Sequence, residues 1–284
     1  MRIHAEGLGL AAISYDSVGV LRQFSARVHI SFTLLSDPDS AVIRRYGILN
    51  ETLAKDIPQY GIPHPGTYLL DARGVVTAKF FEEDYRVRDT GASILLRKFG
   101  LQPVDPHEVS AKHAVLTTWA SGNELRAGQR VTLGVEVELP SRVHVYAPGV
   151  RGYIPVALSL MASPAFRADP PVFPLSKAIE LTAIHETVPA YQGRFRVLET
   201  VTLGNAQAVE PMLDGNRELT IDGSFRYQAC DDRECFPPES VALRWKVKVQ
   251  PFDRTRVPEE LQRKASGYAQ VSPNAEAARI AVVR

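Results

Sequence analysis

Two cysteines with a short spacing are the residues of this chain best suited to redox chemistry. Cys230 and Cys235 are the only cysteines among 284 residues. Strand-like sequence on both sides predicts that they end a four-residue hairpin loop, where facing Cβ atoms lie about 4.5–5.5 Å apart. Pro237 and Pro238 cannot donate ladder hydrogen bonds, so they keep the following chain out of regular pairing. A close pair on a loop that another thiol can reach is what a reversible disulfide needs.

Three other interpretations of the pair stay open: a structural disulfide, two buried free thiols, and a zinc knuckle. Closing so short a loop contributes only about 2 kcal/mol in the chain-entropy model, which is little for a domain of this size. The spacing fits half of a zinc site, but no second cysteine pair or nearby histidine pair completes it. We favour redox exchange. The loop 231–234 is net acidic, which disfavours a thiolate and indicates a partner-specific centre rather than a promiscuous nucleophile.

Motifs around this pair resemble the N-terminal periplasmic domain of the DsbD thiol:disulfide interchange proteins. The motifs are Tyr227-Gln-Ala-Cys230, Cys235-Phe-Pro-Pro-Glu239 and, upstream, Val143-His-Val-Tyr-Ala-Pro-Gly149. The resemblance covers about 113–252 and implies an immunoglobulin-like sandwich. It also implies that Cys230 and Cys235 take electrons from a membrane-embedded partner and pass them to periplasmic oxidoreductases, with Tyr227 and Phe236 as supporting residues. The spacing does not indicate which sulfur is attacked first.

The first hundred residues predict an α/β layer. Short apolar runs are typical of buried strands, and Asp16 and Ser17 are capping residues before a segment with one apolar helical face. A turn that contains Gly74 joins two further strand-like runs, and Gly100 is positioned to end the last helix. The predicted order is strand, helix, strand, helix, β-hairpin and helix, over 8–15, 18–28, 30–35, 40–46, 67–81 and 89–99.

The rest of the chain has a different pattern of apolar and polar residues. Residues 102–112 predict a linker, because they contain two prolines and no periodicity. Residues 131–139 alternate apolar and polar side chains, which predicts a strand with one solvated face. Similar runs over 143–146, 154–161, 179–184, 195–203, 219–230 and 241–249 predict an antiparallel sandwich over 113–252. Residues 253–284 predict a polar tail with a short helix near 259–264.

Three motifs in the first domain, placed at 1–101, resemble the AhpC/TSA redoxins, a thioredoxin-like group related to peroxiredoxins. They are Gly7-Leu-Gly-Leu-Ala-Ala-Ile-Ser-Tyr-Asp16, Leu34-Leu-Ser-Asp-Pro-Asp39 and Gly66-Thr-Tyr-Leu-Leu-Asp71. In such folds a cis proline precedes the strand beside the active site, and Pro65 matches that position. The alternative is an ordinary turn proline.

The resemblance also implies a reactive cysteine on a first βαβ unit, and the chain departs from it there. Residues 1–104 contain no cysteine, so a peroxidase or thioredoxin reaction has no thiolate nucleophile on this domain. We therefore expect a truncated domain that lacks its first βαβ unit. Either the start is misplaced, or the domain is a remnant that serves as a docking surface.

Composition excludes several classes of function. The formal net charge is +1, so nucleic-acid binding has no electrostatic support. No apolar run approaches the roughly 20 residues that cross a bilayer. The seven histidines have no metal-site spacing, and the acids at 82–84 are more simply a solvated strand end than a catalytic pair. We therefore expect no organic cofactor and no metal.

The sequence thus predicts a thioredoxin-like α/β domain followed by an all-β immunoglobulin-like sandwich. The predicted function is a thiol–disulfide oxidoreductase that moves two electrons through Cys230 and Cys235, to or from a thioredoxin-like partner or a membrane electron donor. The alternatives are a binding module with a structural disulfide, and a peroxiredoxin-type enzyme whose cysteine-bearing segment is absent. A lasting disulfide favours the periplasm if an export signal precedes this sequence, and the cytoplasm follows if Met1 is the true start.

Overall fold

The computed structural model describes residues 7–57, 59–81, 87–100, 104–181, 185–251, 253 and 255–261. The chain divides into two compact units, one drawn from Met1–Tyr85 with Asp253–Arg284 and the other from Arg86–Phe252. The division precedes the predicted domain end at 101, so the helix predicted over 89–99 is part of the second unit. No helix in the described ranges is long and apolar enough to span a bilayer. The acids at 82–84 lie outside these ranges.

The first unit contains the first five of the six predicted elements in the predicted order. Its elements are β1 (Ala11–Ser14), α1 (Val18–Val28), β2 (Thr33–Ser36), α2 (Ala41–Arg45), β3 (Gly66–Leu70), β4 (Val76–Phe81) and a 3₁₀ turn at Glu259–Leu261. β1 and β2 pair in parallel, which requires a crossover, and α1 supplies it. β3 and β4 form an antiparallel hairpin. From the predicted tail, Asp253 forms an ion pair with Arg27 at 3.1 Å.

Short polar side chains set the helix ends of this unit. The Ser17 hydroxyl accepts a hydrogen bond from the Val20 amide at 3.4 Å, as its capping position predicts. The Asp37 carboxylate accepts from the amides of Ala41 and Ile43 at 3.0 and 2.9 Å, and it thereby caps α2. These caps fix where each helix begins relative to the preceding strand.

The second unit is rich in strands. Its elements are β5 (Arg88–Asp89), α3 (Gly91–Phe99), β6 (Val104–Ser110), β7 (Val115–Ala120), β8 (Glu124–Leu125), β9 (Gln129–Glu138), β10 (His144–Tyr146), β11 (Ala157–Leu160), β12 (Phe166–Ala168), β13 (Lys177–Leu181), β14 (Glu186–Gln192), β15 (Arg194–Leu203), α4 (Ala206–Val209), a 3₁₀ turn (Glu210–Met212), β16 (Glu218–Tyr227), β17 (Ala229–Cys230) and β18 (Glu239–Val249).

The described strands of this unit form three sheets. The large sheet has the order β12-β15-β9-β7-β6 with β5 beside β9, and the second sheet has the order β11-β16-β18-β8. The third, which we call the disulfide sheet, has the order β13-β14-β10-β17. Alternation in β18 buries Val241, Leu243, Trp245 and Val247, and these side chains join residues of the large sheet in one core.

The predicted linker over 102–112 is largely a strand instead. β6 pairs antiparallel with β7, from Val104 opposite Ala120 to Ser110 opposite Val115. β6 lies at the edge of the large sheet, where prolines are tolerated because one side of the backbone needs no ladder partner. The register shifts between Val104 and His107, around Pro106, one of the two prolines that suggested a linker.

Part of the solvated face predicted for 131–139 is also covered, although Glu138 on that face is exposed as predicted. Thr132 and Gly134 are buried, and the Thr132 hydroxyl hydrogen-bonds with that of Ser93 on α3 at 2.5 Å. α3 packs on this face of β9. The alternating pattern predicted the apolar face of this strand correctly. It does not show that a helix covers part of the other face through a contact between small polar side chains.

One acidic side chain points into the core. Glu199 on β15 lies on the same face of the strand as Val197 and Val201, is 4% exposed, and its Oε2 has no hydrogen-bond partner within the described part of the chain. Burial, and then the negative charge of Asp169, raise the pKa of Glu199 to about 7 from its usual 4.5. The folded chain therefore binds this proton more tightly than the unfolded chain does.

We predict that Glu199→Gln raises the free energy of unfolding at about pH 8 by about 2–3 kcal/mol, because the amide removes a buried charge. The stabilising effect of the protonated carboxyl is present below the unfolded pKa and is lost as the pH rises through about 7. The gain from the substitution should therefore vanish near pH 4.5. Urea unfolding across this pH range measures it. Exposed Glu180→Gln is the control, and an equal effect of both variants would contradict the assignment.

Candidate active site

The two cysteines form a disulfide that closes a tight turn after β17. The Asp231 carboxylate accepts hydrogen bonds from the amides of Arg233 and Glu234 at 2.7 and 2.9 Å, and the Asp231 amide donates to the Glu234 carbonyl at 2.9 Å. These bonds hold the four loop residues in a compact turn. Cys230 and Cys235 therefore face each other across an antiparallel bridge, at the ends of the hairpin loop that their spacing predicts.

The two sulfur-bearing residues have different environments. Cys230 lies in β17, at 1% exposure, and packs with Tyr146 and Val188. Cys235 follows the turn and is exposed. The difference arises because β17 is paired with β10, whereas the chain after Cys235 enters a run of prolines. Of the two cysteines, only Cys235 is therefore exposed at the surface.

Two tyrosines and a glutamate lie beside the disulfide. The Tyr146 hydroxyl is 3.6 Å from the Cys235 sulfur, and the Tyr146 ring stacks on Tyr153 with centroids 4.3 Å apart. The Tyr153 hydroxyl donates to the Glu186 carboxylate at 2.6 Å. This bond raises the pKa of Tyr153 to about 12, while burial and then Glu186 raise the pKa of Tyr146. Both hydroxyls keep their protons at neutral pH, so Tyr146 can donate to sulfur.

A buried histidine lies on β10, the strand that pairs with Cys230. His144 is the cross-strand partner of Cys230, and its ring contacts Tyr146 edge-on with centroids 5.3 Å apart. Burial lowers the pKa of His144, and the charges of Asp232 and Asp231 act in the opposite sense. The imidazole is therefore neutral at pH 7.

Two side chains predicted as supporting residues flank the loop. Tyr227 is buried, and its hydroxyl is within hydrogen-bonding reach of the Lys112 carbonyl and, at 2.7 Å, of the Glu239 carboxylate. Burial and this carboxylate raise the pKa of Tyr227. Phe236 stacks on His113 with centroids 3.9 Å apart. These contacts fix the strand before the loop and the segment after it.

Pro65, the third predicted supporting residue, belongs to the first unit, and the structure corrects the expectation for it. None of the peptide bonds that the structure describes is cis, so Pro65 lacks the cis bond expected from the redoxin resemblance. The preceding segment pairs Pro63 with Leu49, and the His64 amide donates to the Ile48 carbonyl at 2.6 Å. A trans bond continues this bridged segment into β3.

Sequence reasoning did not select Tyr146, Tyr153, Glu186 or His144 as site residues. Tyr146 and His144 are within the motif at 143–149, which the resemblance had singled out as a strand and not as part of a site. Tyr153 and Glu186 are 33 residues apart, and no local pattern predicts their hydrogen bond.

Comparisons with known proteins match the first part of the chain to a known family. Residues 2–79 match the AhpC/TSA family. The peroxiredoxin homologue bcp of Coxiella burnetii (strain RSA 493 / Nine Mile phase I) is 34% identical over 76 residues, which are 25% of this chain and 47% of the relative. This chain thus spans about half the length of that relative. The matched residues 2–79 contain no cysteine.

Among solved structures, two N-terminal domains are similar to this chain. The N-terminal periplasmic domain of ScsB from Proteus mirabilis has 15% identity and a TM-score of 0.33, over 50% of this chain and 51% of that one. The reduced N-terminal domain of DsbD from Neisseria meningitidis has 13% identity and a TM-score of 0.26, over 50% of this chain and 84% of that one.

We predict that Tyr227→Phe lowers the free energy of unfolding by about 1–3 kcal/mol, because it removes the hydroxyl of a buried tyrosine and its bonds to two partly buried acceptors. Tyr153→Phe removes a more exposed hydroxyl and should cost less than about 1 kcal/mol. Urea unfolding with the disulfide intact compares the two variants. Equal losses would contradict an anchoring role for Tyr227.

Proposed function

We propose that this chain is a thiol–disulfide oxidoreductase whose Cys230–Cys235 disulfide exchanges with a dithiol protein. The observation that carries the proposal is the unequal exposure of the two cysteines. Cys235 is open to a second protein, and Cys230 is shielded in the disulfide sheet. In a purely structural disulfide, burial of both sulfurs would protect the bond better, whereas exchange requires one accessible sulfur and one retained leaving group.

The exchange that fits this geometry has two displacement steps. A partner thiolate attacks the Cys235 sulfur, a mixed disulfide forms, and the electron pair of the broken bond goes to the Cys230 sulfur. The second thiol of the partner then attacks its own sulfur in the mixed disulfide. This releases Cys235 as a thiol and leaves the partner oxidised, so two electrons and two protons have moved to the chain. The reverse sequence passes them to the next partner.

The surroundings of Cys235 support selective exchange. Asp231, Asp232 and Glu234 give the loop a negative charge that Arg233 offsets only in part, which disfavours a free thiolate at this position. The reduced site therefore reacts slowly with a small disulfide, whereas a docked protein places its own sulfur in line with Cys235. We infer a thioredoxin-like protein or a membrane electron donor as the partner.

The AhpC/TSA-like residues do not supply the chemistry of this proposal. The match over 2–79 includes no cysteine, so no thiolate of that segment can attack a peroxide or a disulfide. The proposed exchange depends on Cys230 and Cys235 alone, and the first unit serves as a scaffold or a docking surface.

We also infer that the strand-rich unit is an immunoglobulin-like sandwich. Support comes from its core, in which Val135 and Val197 of the large sheet share one buried cluster with Ile221 and Trp245 of the second sheet. Antiparallel pairing through β9, β15, β16 and β18 is also typical of such sandwiches.

Single-cysteine variants test the proposed exchange. In Cys230→Ser the exposed Cys235 is the remaining thiol, and in Cys235→Ser it is the buried Cys230. With oxidised glutathione as the probe, we expect Cys235 to form a mixed disulfide at least about tenfold faster than Cys230, because only Cys235 can be reached. Mass spectrometry over time measures both rates. The rates of the same variants unfolded in urea are the reference, because both thiols are then accessible.

Three results would contradict the proposal. Equal rates in the folded variants would remove the assignment of Cys235 as the attacked sulfur. A wild-type disulfide that a reduced thioredoxin-like protein opens only after unfolding would instead support a binding module with a structural disulfide. Peroxide consumption by the wild-type chain would favour the peroxiredoxin-type alternative.

A further inference from the structure

His144 has a buried nitrogen that the folded, oxidised chain leaves without a partner. The residue is 4% exposed, and its Nε2 makes no hydrogen bond to any residue that the structure describes. Buried polar atoms are hydrogen-bonded in the great majority of cases, so an exception at a redox site asks for an explanation. A neighbouring group that gains hydrogen-bonding capacity in another state of the site would supply the missing partner.

Cys230 is such a group. It is the residue directly opposite His144 where β10 pairs with β17, so the two side chains are on the same face of the sheet with Cβ atoms about 4.5–5.5 Å apart. While the disulfide is intact, the Cys230 sulfur carries no charge and is a weak acceptor. When the disulfide opens, the same sulfur becomes a thiolate, which accepts a charge-assisted hydrogen bond.

The groups around His144 decide which form the imidazole takes. Tyr146 follows it on its own strand, and Gln192 is opposite it on β14. Asp231 and Asp232, in the loop after β17, favour the imidazolium, but burial outweighs them and lowers the pKa of His144. The ring is therefore neutral at pH 7 and carries one N–H. The acid on β14 nearest the disulfide, Glu186, is bonded to Tyr153.

We propose that the Nε2–H of His144 donates a hydrogen bond to the Cys230 sulfur when the disulfide opens, so that Cys230 leaves as a stabilised thiolate. This inference rests on the proposed exchange function and makes His144 a positioning residue for the leaving group. Burial and the acidic loop both disfavour a thiolate at this position. A hydrogen-bond donor from β10 offsets them without adding a charge to the core.

The step balances without any further reactant. The partner sulfur bonds to Cys235, the bond between the two cysteines breaks, and its electron pair stays on Cys230. The proton of His144 remains on Nε2 and is shared through the hydrogen bond. In the reverse direction the Cys230 thiolate attacks Cys235 in the mixed disulfide, and the N–H of His144 is again left without a partner.

The test measures the thiol pKa of Cys230 in the full chain with Cys235→Ser, where Cys230 is the only cysteine. Ultraviolet thiolate absorbance is followed against pH in this background and with His144→Phe or His144→Gln added. We expect His144→Phe to raise the pKa of Cys230 by about one unit or more, because the charged form loses its donor. His144→Gln places an N–H close to the Nε2 position and should keep most of the original value.

Further variants keep the test decisive. His113→Phe removes a histidine that stacks on Phe236, and it should leave the pKa of Cys230 unchanged. If His144→Phe does not fold, His144→Asn replaces it, because its shorter side chain carries the N–H at the Nδ1 position and should act like the loss of the donor. The inference would be overturned if the pKa of Cys230 is unchanged in His144→Phe and His144→Asn. It would also be overturned if His144→Gln shifts this pKa as much as those variants do.

Failure of the proposed function has a different signature. The titration uses no partner protein, so it reports only on the contact between His144 and Cys230. A wild-type disulfide that a reduced thioredoxin-like protein cannot open, in a chain whose Cys230 pKa does respond to His144, would overturn exchange and with it the leaving-group role. Exchange without any pKa response would overturn the inference alone.

Discussion

The backbone pairing of Ala229–Cys230 with the strand His144–Tyr146 determines the environment of both cysteines. It buries Cys230 in the disulfide sheet and places His144 directly opposite it. It also brings the Tyr146 hydroxyl to 3.6 Å from the Cys235 sulfur. Because the sheet ends at this short strand, the chain leaves it through the turn at Asp231, and Cys235 emerges at the surface. One short edge strand thus makes two neighbouring cysteines chemically different.

The rest of the second unit holds that edge in place. Tyr227 and Glu239 join the long strands β16 and β18 to the Lys112 backbone on either side of the cysteine loop. The long strands are in turn fixed by the core that they share with the large sheet. These anchors do not include the sulfur atoms, so opening the disulfide would leave them in place. The cysteine-free AhpC/TSA-like segment adds no nucleophile to this arrangement.

Local sequence patterns predicted most of the strands and helices. They predicted less well which side chains are buried and which distant residues are in contact. Alternation in β18 and the Ser17 cap could be interpreted from neighbouring residues, because their causes are local. The strand β6 was missed because Pro106 within it and Pro103 before it in the sequence suggested a linker, although an edge position tolerates a proline. The buried face of β9 at Thr132 was missed because only the packing of α3 covers it. The spacing of the cysteines predicted their loop, but their unequal burial and the contact of Tyr153 with Glu186 depend on residues distant in sequence.

The reduction potential of the Cys230–Cys235 pair tests the central claim most directly. Alkylation and mass spectrometry across a series of thiol redox buffers measure it on the folded chain. We expect a potential between about −180 and −270 mV, the range of proteins that exchange disulfides with thioredoxin-like partners. A potential well below about −300 mV, with alkylation only after unfolding, would contradict the account, because it would identify the bond as a structural disulfide.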